Sequence, residues 1–430
     1  MMSDKIGLLI PDIKPQKFLG ILLVNSRWIY LTTFFVLSFS SHFTFVVSGF
    51  RVRPEYILTL VGLILLLLLG RLPRMTIIPG WGFLVLWIII NFGSSLITAP
   101  VLKESIKSLI LIVAGSLTLW CLTYLGKKES SKTTKLYMNI WFLSIILGII
   151  GIGIDIALGT NYFSGTSNDV VAYRSARGLY WEANFYGISS MMLGIVYLDQ
   201  WITKSTQTDR FLLPWRLVVC ILAVLLSGTR SAQLTFFVGA LILLSMRYRK
   251  ARNWILRTIG ILTVVILGLS LLISGTIHTS YTDRIIGTFT TPELSSSYTG
   301  RLYLASIAIG QMPNHWWIGH GTNTFGQFNP VFDDQGNVVY GQLGGYLGIL
   351  PVTVLYDTGI IGLLVMAFWL ISHFWNCFRL PRLRIDNPRL WSFTFASLLM
   401  FITFFSTNGL LISFPWVHMA MTLVVRSEQT

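Results

Sequence analysis

The chain has 430 residues, 53% of them hydrophobic and only 11% charged, with a mean hydropathy of +0.68; soluble domains carry roughly 25% charged residues, so the composition excludes a soluble globular protein and indicates a polytopic membrane protein. The formal net charge is +15, but the basic residues sit in short segments between apolar runs, a pattern set by membrane topology and not by a nucleic-acid surface. Cys121, Cys220 and Cys377 lie within or at the ends of apolar runs, with no CxxC and no Cys/His spacing, which excludes a disulfide framework and a thiolate metal site.

In chain order, the opening MMSDKIGLLIPDIKPQKF offers an apolar run of only five residues before Pro11. That is too short for the apolar region of a cleaved signal peptide, and the N-terminus is expected to stay in the cytoplasm. Crossing a hydrocarbon core takes about 17 to 25 residues per helix. Runs of suitable length fall near 28–48, 55–70, 78–98, 107–126, 136–158, 183–200, 211–227, 231–247, 254–274, 349–376, 390–407 and 409–425, which predicts about 12 spans in an all-α fold. No repeat of fixed period interrupts them, so residues 1–430 read as a single membrane domain.

Cytoplasmic loops carry the excess of Lys and Arg. With the N-terminus inside, 23 of the 32 basic residues fall on the inner side, in the segments before 28 and around 71–74, 127–135, 204–216, 247–257, 379–389 and 426. Both termini are therefore expected inside, and the segment 275–348 is expected as an outer loop inserted between spans. Nine cations remain outside: Arg51, Arg53, Lys103, Lys107, Arg174, Arg177, Arg230, Arg284 and Arg301. The first four flank helix ends, where interfacial anchoring accounts for them. The other five lie in or beside irregular outer segments, and Arg230 occupies a tight turn, SGTRSAQ, between two apolar runs. An Arg at such depth is costly without a partner. Five guanidiniums on one face suit a diphosphate, whose oxygens match the planar forked donors.

The stretch Ser280 to Gly345 is the longest polar interruption, and a loop this long in a compact protein points to function. It holds Arg284, Arg301, His315 and His320. Within it Leu302, Ala305, Ile309 and Met312 recur at helical spacing, which predicts a short amphipathic helix opened by Arg301 and lying on the membrane surface. Its aromatics, including Trp316 and Trp317, suit either a membrane interface or sugar stacking. Asp333-Asp334 are adjacent and precede a Gly-Asn turn, so the outer segments offer no Asp-x-Asp metal motif.

RGLYWEANFYG (Arg177 to Gly187), LLSGTRSAQLTFFVGALILL (Leu225 to Leu244), GRLYLASIAIGQMPNHWWIGHGTNTF (Gly300 to Phe325) and LYDTGIIGLL (Leu355 to Leu364) follow one another at these topological positions. Taken together the series, from about 174 to 364, resembles the O-antigen ligase and O-antigen polymerase superfamily. The resemblance implies a C-type membrane glycosyltransferase fold and an enzyme that works without a metal or other cofactor. Its donor would be a polyprenyl-diphosphate-linked glycan and its acceptor a glycan or lipid-linked glycan, used on the outer face of the inner (plasma) membrane, with membrane lipids as the only other partners and no nucleic acid. By that resemblance Arg177, Arg230 and Arg301 match the diphosphate-associated arginines, while Arg174 and Arg284 are added from the residues alone.

There is one departure. Ligases of the superfamily place a His-Asn pair about nine residues before the acidic position held here by Asp357, and this sequence has Gly348-Ile349 there. The base is thus left open among His320, His315, Glu182 and Asp357, and the departure favours a polymerase over a ligase. Asp357 also reads as a helix-start carboxylate before Gly359 and Gly362. A flippase or exporter of the same lipids is the reading from another class; it would call for charged residues deep in the spans, where Asp155 and Asp357 are the acids available.

Overall fold

The computed structural model describes residues 15–40, 45–47, 50–68, 77–166, 174–180, 182–203, 207–247, 298–329, 347–378 and 388–427. The protein is mostly helical. In chain order the helices are α1 (Pro15–Ser38), α2 (Pro54–Leu68), α3 (Trp81–Thr98), α4 (Leu102–Lys127), α5 (Ser130–Leu158), α6 (Ala183–Thr203), α7 (Gln207–Leu226), α8 (Arg230–Arg247), α9 (Tyr298–Gly310), α10 (Phe325–Phe328), α11 (Leu350–Phe378), α12 (Pro388–Thr403) and α13 (Ser413–Arg426). Two short antiparallel hairpins accompany them, β1 (Phe45–Val47) with β2 (Phe50–Val52), and β3 (Ser164–Thr166) with β4 (Arg174–Ala176).

Four of these helices, α3, α4, α5 and α11, are long and apolar enough to cross a membrane by length and composition. The protein is an integral membrane protein by this measure. The expected span 254–274 lies outside the described residues, as does most of the expected loop 275–348. The first expected span, 28–48, is corrected: α1 starts by Pro15 and stops at Ser38, and the β1–β2 hairpin takes up the apolar residues that follow. β-branched and aromatic residues such as Phe45, Val46 and Val47 fit a pleated strand as well as a helix, so hydropathy alone does not separate the two.

The bundle packs inward on aromatic side chains. Phe39, Tyr137, Trp141 and Tyr180 form one fully buried group, and Trp87, Trp369 and Trp416 stack in another. Outward faces are apolar too, with Ile29, Leu68, Ile97 and Leu158 each about two-thirds exposed or more. Such faces are stable against hydrocarbon and not against water. Pairings α6 with α7, α4 with α13, α3 with α11, and α6 with α12 hold the bundle. At the end expected to face the cytoplasm, the Arg27–Glu129 pair ties α1 to the α4–α5 turn, and Arg247 grips the buried Asp199 through Nε at 2.8 Å and Nη2 at 3.0 Å.

Asp155 is not a mid-span acid. It lies in the last turn of α5, and its carboxylate accepts from Thr160 Oγ1, the N–H groups of Tyr162, Phe163 and Ser164, and Ser164 Oγ, all at 2.7 to 3.0 Å. This one side chain shapes the turn into β3.

Candidate functional site

The site is framed by a broken helix. Within α11 the backbone of Gly359 leaves the helical region (φ 66°, ψ −170°), so the chain turns where it would otherwise run on. Only glycine takes that conformation without cost, and a Cβ there would stand 2.3 Å from the Trp317 carbonyl. A break strips backbone groups of their helical partners, and at membrane depth each must find another. Segment 316–321 supplies them. The N–H of His320 donates to Tyr356 O (2.7 Å), that of Gly321 to Asp357 O (3.0 Å), and that of Ile360 to Trp316 O (2.8 Å). Ser94 Oγ adds a bond to Asp357 O at 2.8 Å. Beyond the strap, Thr322 N donates to Ser95 Oγ, Thr322 Oγ1 to Asn91 Oδ1, and Asn323 Nδ2 to Ser108 Oγ, which pins the loop between α3, α4 and α11. Asp357 is therefore placed near the end of the first half of α11, two residues before the break at Gly359, and not at the start of α11.

Helix α9 leads into this strap. Ala308 with Leu304 and Ile307, and Met312 just past the helix end, pack against Phe325, Leu347 and Tyr356, and Ala305 is buried as well. Of the residues at the expected helical spacing, Ala305 and Met312 are buried, while Leu302 and Ile309 are 44% and 45% exposed, open to the membrane surface on which the helix is expected to lie. Helix α9 begins at Tyr298, so Arg301 sits in its first turn.

Arg301 reaches toward two other segments. Its stem crosses the Cα of Gly348, and its charge acts on Glu182, the residue before α6. Burial pushes the Glu182 carboxyl above the usual carboxylate range, while Arg301 and the Asn184 side chain pull it the other way. Next to Glu182, Thr229 Oγ1 donates to the Ala183 carbonyl at 3.1 Å. The turn Ser227-Gly228-Thr229 thus rests on the start of α6, and Arg230 opens α8 from it. The turn bearing Arg230 thus lies next to Glu182, and the charge of Arg301 acts on Glu182 from a third part of the chain.

Other candidates stand elsewhere. Arg177 donates through Nη2 to the carbonyls of Asn161 (3.0 Å) and Tyr162 (3.1 Å), so it braces the turn that Asp155 shapes. The backbone of Arg174 belongs to β4, where it pairs with Thr166; its side chain and all of Arg284 lie outside the described residues. His320 is 4% exposed, stacked on the Tyr356 ring at 4.3 Å and flanked by His315 at 4.2 Å and Phe328 at 5.1 Å. Burial lowers its pKa to about 4, the neighbouring His315 adds to the fall, and the bond to Tyr356 opposes it. His320 is neutral at pH 7.

One group was not foreseen from the sequence. Asn91, Thr322, Asn323, Thr353 and Asn408 line a small cavity around Asp357, closed by Trp87, Ile112, Leu350 and other apolar side chains. These residues come from α3, the loop after the strap, α11 and the α12–α13 turn, and nothing in their spacing links them. Among the described residues no group of three or more His, Cys, Asp or Glu could hold a metal ion.

Residues 215–367 match the O-antigen ligase family. This stretch contains the Ser227–Arg230 turn, Arg301, the strap and the break at Gly359, and it supports the resemblance drawn from the motifs. No curated protein matches the chain.

Proposed function

We propose that this chain is a membrane glycosyltransferase that transfers a polyprenyl-diphosphate-linked glycan to an acceptor glycan on the outer face of the membrane. The observation that carries the reading is that Glu182, which feels the charge of Arg301, directly precedes the start of α6 on which the turn bearing Arg230 rests. The match of residues 215–367 to the O-antigen ligase family supports it.

The chemistry follows from charge. The acceptor hydroxyl oxygen attacks the anomeric carbon, the bond from that carbon to the diphosphate oxygen breaks, and the hydroxyl proton passes to Glu182. Negative charge grows on the departing diphosphate, and Arg301 and Arg230 stabilise it there more than in the bound donor. A carboxylate raised by burial is a stronger base than an exposed one, while Arg301 keeps enough of it ionised to act. In this scheme Arg177 positions the turn before α6 by holding the Asn161 and Tyr162 carbonyls. His320 keeps the strap folded on Tyr356. Arg174 and Arg284 remain candidates for the same diphosphate.

Gly348-Ile349 in the slot of a His-Asn pair favours chain polymerisation. The ligase reading is favoured by the family match itself. A transporter draws less support, since Asp155 lies in the last turn of a helix and is fully engaged by loop donors.

Purified protein in detergent, given a lipid-linked oligosaccharide, is expected to lengthen it without a bilayer to cross and without loss on adding EDTA. Transfer only to a lipid acceptor that cannot be extended would make it a ligase, and no transfer to either would defeat the enzyme reading. Arg301→Lys keeps the charge but loses the two-pronged donor; it should lose most turnover at normal protein abundance, and full turnover would remove Arg301 from the diphosphate site.

A further inference from the structure

We propose that the cavity around Asp357 is a binding site for one sodium ion. Asp357 is 7% exposed, lines the cavity, and its Oδ1 has no hydrogen-bond partner among the described residues. A carboxyl oxygen left without a partner among apolar walls is costly, and a buried carboxyl is met by a proton, a paired cation or a bound ion. The lining residues include no Lys, Arg or His to pair it. Beside it, among apolar residues such as Trp87, Ile112 and Leu350, the lining includes the oxygen-bearing residues Asn91, Asn323, Asn408, Thr322 and Thr353. Hard cations take such donors, whereas soft metals prefer thiolate and imidazole. A single negative charge is matched by a single positive one, and a divalent ion would leave an uncompensated charge in the same apolar walls. The room is small, with about 30 Å³ open to the centre of a water molecule, which suits sodium better than a larger cation.

The position adds to the case. Asp357 stands two residues before the break at Gly359, and interrupted helices at membrane depth are where side chains and turned backbone gather around small ions. Here the break holds α11, the strap and α3 in one place. A cation on Asp357, with Asn91 of α3 and Asn323 of the loop on the other walls, would bind those three elements to one another.

The test uses wild-type protein in detergent, melted in sodium chloride and in choline chloride at equal ionic strength. Melting temperature should climb and saturate with sodium, by several degrees, and stay flat in choline. Asp357→Asn should abolish the difference. A rise shared equally by choline, or a sodium response kept by Asp357→Asn, would overturn the site. Should that variant fail to fold, binding of radioactive sodium to the wild-type chain decides: saturation at one ion per chain supports the proposal, and no saturable binding, the result for a cavity filled by water alone, refutes it. None of these readouts depends on glycan transfer.

Discussion

Gly348 lies beneath the Arg301 side chain: a Cβ built on the glycine would stand 2.9 Å from Arg301 Cδ, 3.0 Å from Nε and 3.1 Å from Cγ. The missing side chain at position 348 and the placed side chain at 301 are thus one arrangement. Any residue larger than glycine at 348 competes with Arg301 for the same space.

It follows that Gly348→Val should push Arg301 away from Glu182. Turnover is expected to fall about 10²-fold, the scale for losing one fixed electrostatic contact at a reacting centre. Gly348→Ala, whose single methyl can be met by a small shift of the flexible Arg301 stem, should fall between. Initial rates on purified protein, compared at equal abundance, provide the check; unchanged rates for Gly348→Val would separate Arg301 from catalysis.

Glu182→Gln should lower turnover by about 10²-fold or more, as general-base loss does. The pH profile carries the sign. A base must be ionised, so activity falls as pH drops through its pKa, and burial places that limb above the ordinary carboxylate range. Arg301 favours the ionised form; Arg301→Gln should therefore move the limb to higher pH. A limb that stays in place, measured as kcat/KM against pH, would show that Arg301 does not act on the base.

His320 links stability to acidity. Its folded pKa, about 4, lies below the ordinary 6.5, so the unfolded chain binds the extra proton between those values. Stability is whole above about pH 6.5 and is lost as pH falls toward 4, by up to about 1.4 kcal/mol for each pH unit from this one group. His320→Phe keeps a flat ring on Tyr356 and removes the titration. Its melting temperature should fall less than that of wild type between pH 6.5 and 4.5, and parallel curves would assign the acid sensitivity to other groups.

Topology is testable at the two ends of α5. Tyr162 is 73% exposed just past its C-terminal end, and Lys132 is exposed near its start. Cys121 and Cys220 are buried; with Cys377 replaced by serine, a cysteine at 162 should react with an impermeant thiol reagent in cells whose outer barrier is opened, while one at 132 should not. Reversed labelling would move the site to the other face of the membrane.

Hydropathy carried most of the helix positions, because a lipid-facing helix announces itself by length. It failed at Phe45–Val47, where an apolar run is a strand. Charge made Arg301 and Arg230 visible as candidates, since few cations fall on the side expected to be outer. It could not show that Arg177 spends its donors on two carbonyls, because backbone acceptors leave no trace in a sequence. The Asp357 cavity was hidden for a related reason: Asn91, Thr322 and Asn408 are ordinary residues until the chain brings them around one carboxylate.

The strap across the break in α11 also sets an order of events during synthesis. Residues 316–321 leave the ribosome before residues 356–360, so the donors and acceptors that repair the break exist before the break does. A change that weakens the strap would act first on biogenesis, as a span that lingers unassembled and is degraded, and only afterwards on the rate of any reaction.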